Sequence, residues 1–283
     1  MLSSPAKVNL SLRIVGKRTD GYHELETVFQ EVDWADEIDF RESSDFSLKI
    51  SGADLPHGNS NLIVKAAHAL ARKANLPCCG QLHLTKELPL QGGVGGGSSN
   101  AAITLIGLNR LWDLKWPGSR LEPIARELGA DCPFFLHGGL ARATGRGDVI
   151  EPLNGASEGH FVLVSPPFGV ETAWAFTHLT LPLTEVEKNA IFSPLWLTEE
   201  GSPCPREFLR NDLENIVFQR YSALRELRDR LLDLGAAGAL LSGSGSTLYG
   251  IFDSEPTALR AAQVLSGNET FRVKVCRAVA RER

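Results

Sequence analysis

The chain has 283 residues, of which 43% are apolar and 22% charged, and its 29 Lys and Arg against 34 Asp and Glu give a formal net charge of −5. At about 150 residues per domain this length predicts two domains, and the composition is that of a folded soluble protein and not of a disordered chain. The acidic balance excludes broad nucleic-acid binding, which needs a basic footprint, but leaves room for a small phosphorylated ligand held at one local site.

Along the chain, Ala6 to Ile14 alternates apolar and polar residues, which predicts a half-buried strand with Lys7, Asn9, Ser11 and Arg13 on one face. A polar turn, 16–21, leads to Tyr22-His23-Glu24-Leu25. Val28, residues 38–40 and residues 46–50 predict further antiparallel strands, and the apolar stripe of 61–73 predicts a helix. A short strand over 81–85 precedes Pro89-Leu90-Gln91-Gly92-Gly93-Val94-Gly95-Gly96-Gly97-Ser98-Ser99-Asn100, which runs directly into Ala101 to Leu108. This reads as strand, glycine loop and helix N-terminus, with the Ser-Ser-Asn run supplying the cap. A second helix, 119–128, is followed by Gly129-Ala130-Asp131-Cys132-Pro133-Phe134-Phe135. Strands over 140–144 and 149–153 close a first domain, 1–155. The second domain, 156–283, holds a strand over 160–164 and a long amphipathic helix, 213–234. A second glycine segment, 242–247, lies between strands 237–240 and 248–252, and a helix, 256–265, and a strand, 271–275, complete the chain. No internal repeat or low-complexity tract is present.

The five cysteines, Cys78, Cys79, Cys132, Cys204 and Cys276, form no C-x-x-C pair. This argues against a disulfide framework or a structural zinc site, and for a reducing, cytoplasmic setting. No apolar run approaches the roughly 18 residues of a membrane span, and residues 1–16 lack the continuous apolar stretch of a signal peptide. Neither nucleic acid nor membrane is expected as a partner.

Five glycines between Gly92 and Gly97 leave backbone N–H groups uncovered at a helix N-terminus, an arrangement suited to phosphate groups. The segment is not a P-loop, because Ser98 stands where the Lys would be, and it lacks the third glycine of a dinucleotide fingerprint. The plain alternative is a flexible surface loop. Asp131, in a compact apolar context, is the candidate general base, and its carboxylate needs a cationic or hydrogen-bonding partner. Lys7 is the candidate for that partner, and a helix-cap or turn Asp is the structural alternative. Tyr22 and His23 have the chemistry to stack on a planar ligand and bond its edge, although a lone His is more often structural. Phe176 by itself reads as core.

The block from Pro89 to Ala101 resembles the ATP-binding motif of the GHMP kinases, the galactose, homoserine, mevalonate and phosphomevalonate kinases. Pro5-Ala6-Lys7-Val8-Asn9-Leu10 resembles their first motif and Ser242-Gly243-Ser244-Gly245 their third. Asp20 to Leu25, Asn61-Leu62-Ile63, Leu128 to Phe135 and Asn211 to Glu214 resemble one branch of the family. The acceptor of that branch is a cytidine diphosphate-linked methylerythritol of non-mevalonate isoprenoid biosynthesis. The likeness runs from residue 3 to about 252. It implies an α+β, two-domain fold, with an N-terminal domain like domain 2 of ribosomal protein S5, a smaller α/β C-terminal domain, and the site in the cleft. It also implies transfer of the ATP γ-phosphoryl group, with Mg2+, to the C2 hydroxyl of that substrate by a monomer or homodimer. By the resemblance, Asp131 is the base and Lys7 its electrostatic partner, and Asn9 helps hold the substrate. Pro89, Leu90, Gln91, Gly92, Gly93, Val94, Gly95, Gly96, Gly97, Ser98 and Ser99 hold the ATP phosphates, with Gly243 and Ser244 alongside. Asn61 and Lys86 serve the nucleoside end of ATP, and Tyr22, His23 and Phe176 bind the cytosine. Gln91 departs from the small residue usual there and Val94 from the commoner Leu; neither removes a backbone donor. A homoserine or mevalonate-type kinase and a non-catalytic RNA-binding module are the competing readings. The first leaves Tyr22 and His23 without a purpose, and the acidic balance opposes the second.

Overall fold

In the computed structural model, residues 1–179 and 209–281 are described. Cys204 and part of the 156–283 unit lie outside the described residues. Two sheets carry the fold. The larger orders β3(Phe46–Ser51), β4(Gly80–Thr85), β2(His23–Arg41), β1(Leu2–Lys17) and β8(Arg210–Asn211), and β5(Leu140–Gly145) pairs with β2 and with β6(Val149–Leu153). The smaller orders β11(Arg272–Arg277), β7(His160–Ser165), β10(Leu248–Phe252) and β9(Gly238–Leu241). Helices α1(Leu62–Ala74), α2(Gly96–Leu111), α3(Gly118–Leu128) and α4(Cys132–His137) accompany the first sheet. Helices α5(Thr172–Thr177), α6(Glu214–Arg220), α7(Ser222–Asp233) and α8(Glu255–Leu265) accompany the second. The fold is α+β. Among the described residues no helix is long and apolar enough to cross a membrane.

The core explains how the two sheets are held together. Ala6, Val8 and Leu10 of β1 share one apolar cluster with Phe161, Leu163 and Tyr249 of the second sheet. Tyr249 is fully buried there, and its hydroxyl donates to the Asn9 carbonyl at 2.8 Å. Each large apolar side chain buried in this way contributes about 1.5–3 kcal/mol. The alternation of β1 thus turns its apolar edge to the second sheet and leaves Lys7 and Asn9 facing the other way.

Four local expectations are corrected. The pieces at 28 and 38–40 belong to one strand, β2, long enough to pair with β4 at one end and β5 at the other. The expected common face of Lys7, Asn9, Ser11 and Arg13 ends at Asn9. A register shift between Asn9 and Ser11 pairs Ser11 with Val28 and Leu12 with Thr27, so a bulge at Leu10 moves Leu12 onto the site face and Ser11 off it. The helix expected over 213–234 breaks at Tyr221 (φ −123°, ψ 73°), whose ring stacks on Phe168 and meets Trp174 edge-on. Finally, α2 begins at Gly96 with Gly95 as its N-cap in the left-handed region, and no side chain caps it. Ser98, Ser99 and Asn100 therefore lie inside the helix instead of capping it.

Candidate active site

The glycine loop is bound into the molecule from two sides. The Lys7 N–H donates to the Val94 carbonyl at 3.0 Å, tying the loop to β1. On the other side the segment 242–247 docks on it: Ser242 Oγ donates to Gly93 O and Thr247 N to Gly92 O, each at 3.0 Å. A Cβ at Gly93 (φ +75°) would come within 2.0 Å of the Ser242 carbonyl, and one at Gly95 (φ +72°) within 2.8 Å of the Phe135 ring. Glycine is required at both positions by positive φ and by close approach. The first i→i−4 bond of α2 runs from Ser99 N to Gly95 O at 2.8 Å. The N–H groups of Gly96, Gly97 and Ser98 precede it at the positive end of the helix dipole, where an anion is favoured.

These donors open onto a cavity of about 520 Å³, within the range of small-molecule sites. Lys7, Asn9 and Asp131 stand on its wall together with residues 89–98 and with Gly243 and Ser244. Asp131 occupies the N-cap position of α4 but makes no capping hydrogen bond, and its carboxylate is 3.5 Å from the Lys7 ammonium. The Asp131 side chain is 32% exposed and that of Lys7 only 4%, so the carboxylate is reachable from the cavity while the ammonium is fixed behind it. Lys7 also donates to Asn9 Oδ1 at 2.6 Å and sits 4.9 Å from the centre of the Phe29 ring. Next in the chain, burial pushes the Cys132 thiol up to about 12, so it stays protonated beside the carboxylate. A cradle of backbone donors and an accessible carboxylate backed by a cation share one cavity, an arrangement suited to in-line phosphoryl transfer to an alcohol.

Comparison with known proteins bears on which family builds such a site. Residues 61–139 match the GHMP kinases N terminal domain and residues 204–269 the GHMP kinases C terminal region. A 4-diphosphocytidyl-2-C-methyl-D-erythritol kinase of Chlorobium phaeobacteroides (strain BS1) is 42% identical over 261 residues, 91% of each chain. The chain belongs to the GHMP kinase family. Another relative, a 4-diphosphocytidyl-2-C-methyl-D-erythritol kinase of Syntrophus aciditrophicus (strain SB), is 40% identical over 98% of each chain. A crystal structure of 4-(cytidine 5'-diphospho)-2C-methyl-D-erythritol kinase superposes with TM-score 0.78 at 34% identity, covering 97% of this chain and 98% of that one. A homoserine kinase from Cytophaga hutchinsonii, at 19% identity and TM-score 0.74, shares the fold.

The other expected site residues of this GHMP kinase occupy three kinds of place. Pro89, Leu90, Gln91, Asn61 and Phe176 line the cavity. Asn61 also caps α1, accepting from Ile63 N at 2.9 Å and donating to Pro56 O at 2.8 Å. His23 and Tyr22 lie beside the cavity and not on its wall: His23 stacks on Phe176 with centroids 5.5 Å apart, and Tyr22 is 57% exposed, with the Arg146 guanidinium 5.1 Å from its ring. Burial, with Lys17 nearby, holds the His23 imidazole below its usual pKa. Lys86 also lines the cavity, while Ser99 lies beneath the loop, and both brace it. The Lys86 ammonium donates to both Asp36 oxygens, at 3.0 and 2.8 Å, and to Leu88 O at 2.8 Å, so its three protons are all committed. Ser99 is fully buried, and its hydroxyl bonds Ser4 Oγ at 2.9 Å. Sequence reasoning missed Thr27, Phe29 and Asp36. The first two are recognisable only once β2 is paired in register with β1, and Asp36 only once Lys86, Glu87 N, Leu88 N and Asn100 converge on it.

Proposed function

We propose that this GHMP kinase transfers the γ-phosphoryl group of ATP to the C2 hydroxyl of 4-diphosphocytidyl-2-C-methyl-D-erythritol, with Asp131 as base and Lys7 as its partner. The observation that carries the chemistry is the Lys7–Asp131 contact of 3.5 Å on the wall of the cavity that the Gly96–Ser98 donors face. The substrate is supported by the 38–42% identical relatives named for that kinase. The N–H groups of 96–98 hold the phosphates, and Gly243 and Ser244 close on them from the second glycine segment. Asp131 accepts the hydroxyl proton as the alcohol oxygen attacks phosphorus. Lys7 keeps that carboxylate oriented and balances the charge that develops. Base assistance of this kind is worth about 10²–10⁴ in rate. Phe176, stacked on His23, offers an apolar face for the cytosine, and Tyr22 stands at the rim.

Among the described residues no group of three or more His, Cys, Asp or Glu could hold a metal ion. Mg2+ carried in by ATP phosphates needs only one or two protein oxygens. Ser98 and Asp131 supply a hydroxyl and a carboxylate on the cavity wall, and they would hold it; the ion, when bound, would neutralise phosphate charge. We also read the chain as two domains, 1–155 and 156–283, supported by the start of the second sheet at His160, and as a cytoplasmic enzyme. The test is ADP release by the purified chain with this alcohol. Alcohol-dependent turnover, inhibited by CDP and not by homoserine, is expected. Turnover with homoserine or mevalonate but not with the cytidine compound would overturn the substrate.

A further inference from the structure

The Lys7 ammonium is steered by a chain of hydrogen bonds that ends on the main chain. Lys7 Nζ donates to Asn9 Oδ1 at 2.6 Å, and Asn9 Nδ2 donates to Thr27 Oγ1 at 2.8 Å. Thr27 Oγ1 donates to the Ser11 carbonyl at 2.5 Å. A hydroxyl has one proton. With that proton on Ser11, the Thr27 oxygen faces Asn9 only as an acceptor, so it selects the NH2 end of the amide and turns the oxygen end to Lys7. The opposite amide orientation would set NH2 against the ammonium, donor against donor. Lys7, Asn9 and Thr27 are all buried, so solvent does not relax this choice. The bulge at Leu10 makes the reach possible. It pairs Ser11 with Val28 and Leu12 with Thr27, which brings the Ser11 carbonyl and the Asn9 amide to the same hydroxyl.

We propose that Thr27 is a positioning residue for phosphoryl transfer, its hydroxyl setting the Asn9 amide and, through it, holding the Lys7 ammonium toward Asp131. This rests on the reading of Lys7 and Asp131 as the reacting pair. Thr27 also lies on the cavity wall, so a direct substrate contact is the competing role, and it would express itself in KM and not in kcat.

Steady-state kinetics on the full chain, with ATP and the cytidine diphosphate-linked alcohol, test it in wild type, Thr27→Val, Thr27→Ala and Thr27→Ser, each checked by thermal melting. Thr27→Val keeps the shape and loses the hydroxyl; kcat falls about ten- to a hundredfold, while KM for both substrates stays unchanged. Thr27→Ser keeps the hydroxyl and returns kcat near the wild-type value. Thr27→Ala gives the same reading as Thr27→Val if the valine variant does not fold. A folded hydroxyl-free variant with wild-type kcat overturns the positioning role. So does a loss confined to KM for the alcohol, or a Thr27→Ser variant as impaired as Thr27→Val. Absence of alcohol-dependent turnover in the wild type overturns the parent reading and this one with it, whereas wild-type turnover untouched by Thr27→Val overturns this one alone.

Discussion

Two lysine–aspartate pairs flank the glycine loop, and they are built to opposite specifications. Lys86 and Asp36 meet at 2.8 Å with side chains 3% and 0% exposed, whereas Lys7 and Asp131 meet at 3.5 Å with Asp131 32% exposed. Asp36 also accepts from Glu87 N and Leu88 N, each at 2.7 Å, and from Asn100 Nδ2 at 2.9 Å. Every lone pair of that buried carboxylate is engaged, so it fastens β2, the loop entry and the start of α2 together. Asp131 has one cation and an open side. A sealed, saturated ion pair has no capacity left for a proton or a ligand; an accessible, under-bonded one has. Burial and hydrogen-bond saturation, not charge type, separate the two pairs.

Substitution would break or sharpen this contrast. The largest effect is expected from Asp131→Asn, which keeps the shape and removes the base: kcat falls by about 10²–10⁴ with an unchanged melting temperature, read by steady-state kinetics beside a thermal melt. A comparable loss in stability instead of rate would erase the distinction. Asp36→Asn should do the reverse, because removing one partner of a buried pair costs about 3–5 kcal/mol; urea unfolding measures it, and an undisturbed midpoint would show the pair to be dispensable. Gly93→Ala tests the loop both pairs flank. A side chain forced into positive φ costs about 1–3 kcal/mol, and the added Cβ would press on the Ser242 carbonyl. The KM for ATP should therefore rise by about tenfold.

The smallest effect belongs to Glu214, intermediate between the two pairs. Its carboxylate accepts from Leu241 N at 2.8 Å and has Arg228 at 3.7 Å. Burial raises its pKa above the ordinary 4.5, against the lowering influence of those partners. The folded state then holds a proton that the unfolded state has released, so stability is full below pH 4.5 and declines as pH rises through the raised value. Glu214→Gln, which keeps an acceptor for Leu241 N, should flatten that decline in urea midpoints taken across the window. A decline that persists in the variant would move its origin to another group.

Much of the cavity lining was legible before any coordinates because its signals are local. A run of glycines, an Asp in a tight turn and a Lys in an alternating strand each carry meaning within a few residues. The observed α1, α3 and α8 lie close to the expected helices for the same reason. The misreadings all came from interactions across the chain. Ser99 reads as a cap in the sequence, but α2 starts ahead of it, at Gly96. That the Lys86 ammonium on the cavity wall also bonds Asp36 of β2 could not be read locally either. Ser11 shared a face with Asn9 only in a strand without a bulge. Tyr221 ended a helix that periodicity alone continues, because its ring packs against Phe168 and Trp174.

What the sequence determined by itself was the inventory: a two-domain α+β kinase scaffold, a bare backbone cradle before a helix, and a carboxylate and an ammonium eligible to pair. Tertiary structure alone decided which of those groups face the cavity and which are consumed within the protein. Side-chain commitment depends on partners tens or hundreds of residues away, and on a register that a single extra residue in β1 resets.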